Sequence, residues 1–325
     1  MPGLLVNLID RPSDDYVKLN YTKPSKLYET ETAFQTFLPI HPSHPDQRRH
    51  NVDFEPSPEP QRIRDVRGRE EEFDIDVHGF QYFKHKSQLT AREMFNKKSI
   101  KEVYLPEVAK LLQERLQGAD HVILFDWRLR HAEMNPHAGR QMDYSDELQR
   151  VGPTPRAHIG GPDTNCARST ADQTDAGVMR RLERHVGSDV WKLLKGRLRM
   201  INVWRPIYGP IEDCPLAVCD GRTYPREGIV GIDMHKPGFL GQSAGVQYRD
   251  GMEWYYMSRQ MDDEPVVFKN FDSEESVTPY SVHTAFTHSQ VPKNALPRQS
   301  VEVRAIVFTD PEGKQSVSIR TELDE

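Results

Sequence analysis

The residues best suited to chemistry lie far apart in the chain. His283 falls in Val282-His283-Thr284-Ala285-Phe286, a β-like run in which its imidazole can face the inside of a sheet. Fifteen residues later, Arg298-Gln299-Ser300 opens another long β-like run. A histidine on one strand and Arg-x-Ser on the next set a possible metal ligand beside an anion clamp. A guanidinium grips a carboxylate through two parallel hydrogen bonds, and a serine hydroxyl adds a third. The distal carboxylate of 2-oxoglutarate needs such a clamp. The same residues also serve as ordinary structural polar groups in a β-rich core.

A second histidine, His158, stands in Pro155-Arg156-Ala157-His158-Ile159-Gly160. A facial triad on iron takes two histidines and one carboxylate and leaves three positions open. It is usually built around His-x-Asp, but here Gly160 holds the second place. The next acids are Asp163 and Asp172. Asp172-Gln173-Thr174 reads equally as the N-cap of a helix, where Asp accepts from free backbone amides. His158 likewise reads as a loop histidine in a Gly/Pro-rich turn. In Asn202-Val203-Trp204-Arg205-Pro206-Ile207, Arg205 is expected either to pair with Asp213 or Asp220 or, with Trp204, to touch substrate.

The elements that must carry these groups are mostly strands. Met200–Trp204, Leu216–Cys219, Gly228–Ile232, Trp254–Met257, Pro265–Phe268, Val282–Phe286 and Ser300–Phe308 are β-like, with turn residues between them. His121–Phe125 reads as a short buried strand before a charged run, and Phe73–Phe80 alternates as a half-buried strand does. Helices are expected in the middle of the chain. Thr90-Ala91-Arg92-Glu93 has a capping-box pattern. Leu105, Val108, Leu111, Leu112 and Leu116 share one helical face, with a boundary at Pro106. Asp172 to Val186 and Val190 to Leu194 follow. This order predicts a mainly β protein with flanking helices, a double-stranded β-helix of the jelly-roll, cupin-like kind. Residues 1–62 read as an N-terminal arm and long loop, loosest from Pro39 to Pro60, and 63–325 as a single domain.

Composition narrows the function. The 325 residues carry 43 Lys+Arg and 49 Asp+Glu, a net charge of −6. With no basic stripe, a nucleic-acid partner is not expected. No apolar run is long enough to span a membrane, and the N-terminus lacks the basic flank of a secretory signal. The three cysteines, Cys166, Cys214 and Cys219, suit a reducing, cytoplasmic setting.

Several motifs occur together in one order. Ile201 to Ile207 precedes Asp213-Cys214-Pro215-Leu216-Ala217-Val218-Cys219-Asp220. Trp254-Tyr255-Tyr256, Lys269-Asn270-Phe271-Asp272-Ser273, His283 to Phe286 and Pro297 to Ala305 follow. Upstream stand Gly68-Arg69-Glu70, His78-Gly79-Phe80 and Phe125-Asp126-Trp127-Arg128. This series, from Ile63 to Phe308, resembles the fungal gibberellin-4 desaturase and aspergillic-acid-pathway hydroxylase family. The resemblance implies a non-haem Fe(II), 2-oxoglutarate and O2-dependent oxygenase that hydroxylates or desaturates a small natural-product intermediate. It implies His158, Asp172 and His283 as iron ligands. Arg298 and Ser300 would bind 2-oxoglutarate, with Arg304, six residues further along the strand, as the fallback clamp. No catalytic residue beyond the metal ligands is implied. A homo- or heterodimer is compatible with it.

One departure stands out. The family pattern Arg-x-His-x-Asp-Gln-Thr is split here by Gly160 to Ala171. Either this insertion loops out and Asp172 still reaches the metal, or Gly160 truly replaces the carboxylate and leaves room for a halide, as in iron halogenases. A third outcome is a dead site in a structural partner of an active paralogue. A cupin-like binding protein without redox chemistry is the remaining rival.

Overall fold

In the computed structural model the described residues are 13–39, 41, 43–132, 148, 151–160, 182, 190–236, 239–314 and 316–319. In chain order the strands are β1 (Asp15–Val17), β2 (Asn20–Thr22), β3 (Ala33–Thr36), β4 (Phe54–Pro56), β5 (Gln61–Asp65), β6 (Phe80–Tyr82), β7 (His121–His131), β8 (His158–Ile159) and β9 (Leu198–Pro206). They continue as β10 (Leu216–Cys219), β11 (Ile229–Lys236), β12 (Phe239–Val246), β13 (Trp254–Tyr256), β14 (Val266–Asp272), β15 (His283–Ala285), β16 (Gln299–Phe308) and β17 (Ser316–Ile319). Two large sheets result. One runs β1-β5-β13-β10-β15-β8-β12-β11-β3 and the other β17-β7-β16-β9-β14-β6. Most of the pairing is antiparallel, the jelly-roll plan expected from the series of short strands.

Alternation along the strands sorts side chains between two faces. On β16 and β9, Val301, Val303, Ala305, Ile201 and Val203 face outward and pack with Leu105, Val108, Leu111 and Leu112 of the helix Leu105–Arg115. Pro106 follows directly on a π-helical turn, Ile100–Tyr104, so the expected boundary is a change of helical winding and not a free helix end. The inward face carries Trp204 and Phe268, which meet Leu216, Val218 and Tyr255 of the opposite sheet. A bulge between Arg304 and Ala305 in the pairing of β16 with β7 lets Leu124 and Trp127 share the outer face although they differ in parity.

Several expectations are corrected. Phe73–Phe80 is not a strand. Asp74 caps a one-turn helix, Ile75–His78, by accepting from the amides of Asp76 and Val77, and Gly79 ends it at φ 87°. A Cβ at Gly79 would lie 2.7 Å from the carbonyl oxygen of Tyr280, so the local turn overrides the period-2 pattern. The strand at His121 does not stop at Phe125 but runs to His131, because β16 pairs along its whole length. Thr90 and Glu93 do exchange capping bonds, yet the helix there is only the short turn Glu93–Phe95. The segment before Ile63 contributes strands to the larger sheet. β1 pairs with β5, β3 pairs with β11, and Tyr21 is fully buried; the boundary at residue 62 falls inside β5. The helix expected from Asp172 to Val186 lies outside the described residues except for Leu182.

Candidate active site

β15 is held between β10 and β8, with His283 opposite both Val218 and His158. Directly opposed residues share a face. Val218 belongs to the cluster between the sheets, so both imidazoles point inward. Their ring centroids are 4.3 Å apart, and His283 also lies against the Phe268 ring at 4.4 Å. His158 Nδ1 bonds the carbonyl of Arg156 at 2.8 Å, and His283 Nδ1 bonds that of Ser281 at 3.2 Å. A carbonyl only accepts, so each Nδ1 carries the proton and each Nε2 keeps its lone pair free for a metal. Burial, reinforced by His283, holds His158 well below its ordinary range, and burial brings His283 down to about 4. Both rings are therefore neutral near pH 7, the form that ligates.

Gly160, on the same face as His158, comes close to this pair. A Cβ built there would lie 3.4 Å from His283 Nε2 and 3.3 Å from Asn270 Oδ1. Asp172 and Asp163 lie outside the described residues. Among the described residues no three His, Cys, Asp or Glu side chains gather as a metal site. The donors present still suit Fe(II): two neutral imidazoles, oriented by their own backbone.

The second group is the clamp. Arg298 is 1% exposed and Ser300 is fully buried. Both alternate with the outward Val301 and Val303, so they face inward with the histidines. Arg298 Nη1 donates to the carbonyl of Cys214 at 2.7 Å, its backbone amide donates to Asp213 Oδ2, and its guanidinium lies 5.5 Å from the centroid of the Trp204 ring. Among the described residues it has no carboxylate within ion-pair distance, and its Nε and the Ser300 Oγ have no hydrogen-bond partner. Burial lowers its affinity for the proton. A buried cation with idle donors beside an idle hydroxyl is a costly arrangement that a carboxylate ligand would relieve.

Arg304 is not free for that task. It is committed to Asp126 at 2.8 Å and Glu302 at 3.2 Å. Arg205 is the clearest correction. It lies on the outward side of β9, where it donates to the carbonyls of His85 and Asp262 and to the Tyr104 hydroxyl, bonds His85 Nδ1, and pairs with neither Asp213 nor Asp220. Trp204, its neighbour, faces the interior and floors the clamp.

Sequence reasoning missed a polar cluster on the facing sheet. Glu302 is ion-paired with Arg130 at 3.1 Å and with Arg304. Burial alone would raise its pKa, but Arg130 and Arg304, with help from His283, hold it well below the usual carboxylate range. Asn202 donates to Glu302 Oε1, and Asn270 donates to Asn202 Oδ1. The visible hint was Glu302 and Arg304 at the spacing that puts both on the face of Arg298 and Ser300.

A family model described as an oxidoreductase/YMDC permease-like domain matches residues 19–308. The Fe(II)/2-oxoglutarate-dependent dioxygenase nvfI of Aspergillus novofumigatus is 32% identical over 267 residues, covering 79% of this chain and 86% of its own. The hydroxylase/desaturase poxK of Penicillium oxalicum is 27% identical over 76% of this chain and 78% of its own. Among solved structures, the iron and alpha-ketoglutarate-dependent endoperoxidase NvfI superposes with a TM-score of 0.73 at 27% identity, over 92% of this chain and 98% of the other. These matches define the class as a jelly-roll oxygenase. The chain belongs to the family of fungal Fe(II)/2-oxoglutarate-dependent dioxygenases. Fe(II), 2-oxoglutarate and O2 are the cofactor and cosubstrates of that family. Among the described residues no helix is long and apolar enough to cross a membrane.

Proposed function

We propose that the protein hydroxylates or desaturates a small natural-product intermediate in the cytoplasm, on the pattern of the gibberellin-4 desaturase and aspergillic-acid hydroxylase branch. His158, His283 and Asp172 hold the iron. Arg298 and Ser300 take the distal carboxylate of 2-oxoglutarate. When bound, the iron supplies the oxidising power that breaks an unactivated C–H bond. The chain orients two neutral imidazoles, neutralises the dicarboxylate, and keeps water from the interior between the sheets.

One observation carries this reading. A buried and a partly buried imidazole, each with a free Nε2, point into the space between the sheets, as does a buried guanidinium from the opposite sheet that has no carboxylate partner among the described residues. A plain structural core explains neither. The test is an anaerobic Fe(II) titration with 2-oxoglutarate, read by the metal-to-ligand charge-transfer band. About one equivalent of iron and a band absent from His283→Ala are expected. No band in the wild-type protein would leave the inactive-partner reading.

A further inference from the structure

We propose that Asn270 is a positioning residue that presents a fixed hydrogen-bond acceptor to an O–H-bearing ligand at the histidine pair, water when metal alone is bound. The inference rests on the two-histidine metal reading above.

The argument starts at the backbone. β14 pairs with β9 in register to Lys269 and resumes at Phe271, so Asn270 is the extra residue of a bulge. A bulge re-aims one side chain without ending the sheet. The two ends of an amide look alike in shape, but the neighbours here decide which is which. Glu302 is ionised between Arg130 and Arg304, so it can only accept. Asn202 must therefore turn its NH2 to Glu302, at 3.1 Å, which leaves its oxygen for Asn270. Asn270 then must donate its own NH2 to Asn202, at 2.8 Å. The reverse arrangement would set an amide oxygen against a carboxylate. The order Glu302, Asn202, Asn270 thus fixes Asn270 Oδ1 on the far side.

That oxygen is buried and has no partner among the described residues. The point 3.3 Å from it, where residue 160 would carry a Cβ, is 3.4 Å from His283 Nε2. Because residue 160 is glycine, no side chain among the described residues fills the volume that the acceptor and the ligating nitrogen both face. A buried idle acceptor is costly, so its retention beside a metal-binding nitrogen points to a donor that arrives with the bound state.

Co(II) is the probe, added alone to the full-length protein and followed by its ligand-field absorption and by competitive titration. Asn270→Leu keeps the bulk and removes the acceptor. It is expected to shift the Co(II) bands and weaken binding about tenfold, as loss of an outer partner of a metal site does. If Asn270→Leu does not fold, as judged by its circular dichroism and melting, Asn270→Ala reads the same change. Wild-type bands and affinity in the folded acceptor-free variant would overturn the role of Asn270. Failure of the wild-type protein itself to bind Co(II) would instead overturn the two-histidine site.

Discussion

His158 and His283 sit directly opposite each other on neighbouring antiparallel strands, and each donates Nδ1 to the carbonyl two residues earlier in its own chain. The pair is therefore oriented by backbone alone. Its tautomers do not depend on a mobile side chain, and the free nitrogens are preset before any metal arrives. Replacing either ring with alanine removes half of this donor set. Fe(II) uptake is expected to fall at least a hundredfold for His283→Ala or His158→Ala, measured by equilibrium dialysis. Undiminished uptake by one variant would remove that residue from the site.

Asp172 is the third ligand in the proposed reading, and the twelve residues from Gly160 to Ala171 make this a strong test. Asp172→Ala is expected to lose Fe(II) about as completely as the histidine variants, while Asp163→Ala keeps it. If Asp172→Ala binds normally and chloride alters the Fe(II) spectrum, the open position at Gly160 is the better account.

Arg298→Met separates function from stability. Removing a buried cation that has no carboxylate partner among the described residues is expected to leave the melting temperature unchanged or higher. In wild-type protein, 2-oxoglutarate at a hundred times its dissociation constant should stabilise by about 2.7 kcal/mol. That shift should vanish in Arg298→Met and survive in Arg304→Met. A shift that disappears only with Arg304 would move the clamp.

Arg205→Met predicts the opposite pattern. Its loss strands the carbonyls of His85 and Asp262 on the outer side of β9. Unfolding in urea should show about 2–4 kcal/mol of destabilisation. The 2-oxoglutarate requirement of whatever protein remains folded should not change.

The fold also has an acid-sensitive joint away from the site. Burial would raise the pKa of Asp76, but Arg197 and Lys269 outweigh it and bring it down to about 2. A depressed carboxylate stabilises the fold above its unfolded pKa of about 3.9 and loses that contribution as pH falls through 2. Because Asp76 is partly exposed, the effect is discounted to about 1–2 kcal/mol. Asp76→Asn should lower stability by that amount at pH 7 and by much less near pH 2.5, measured by urea titration. An equal loss at both values would assign the effect to packing.

Much of the site was legible before any coordinates. Alternation already puts Arg298 and Ser300 on one face of their strand, and a jelly roll follows from short strands separated by turns; that His283 meets them from the opposite sheet is decided by packing. Trp204 and Arg205 show the limit. Adjacent strand residues must point to opposite faces, but only the sheet's partners say which face is inside. The helix over Leu105 to Arg115 covers the side of Arg205, so that arginine is structural and Trp204 is the one beside the clamp. Phe73–Phe80 fails for a different reason: an Asp cap and a glycine at positive φ outweigh two-residue alternation over so short a stretch.

The amino-acid order by itself determined the residue types: two histidines, an Arg-x-Ser, a glycine where a carboxylate is usual, and apolar periods that close into two sheets. Register decided the rest. The pairing of β15 with β8 brings together imidazoles 125 positions apart, and ion pairs from Arg130 and Arg304 to one buried glutamate orient two amides beneath them. Local sequence sets conformational preference over a few residues, whereas contacts between distant strands depend on how the whole core closes, and no short window contains that information.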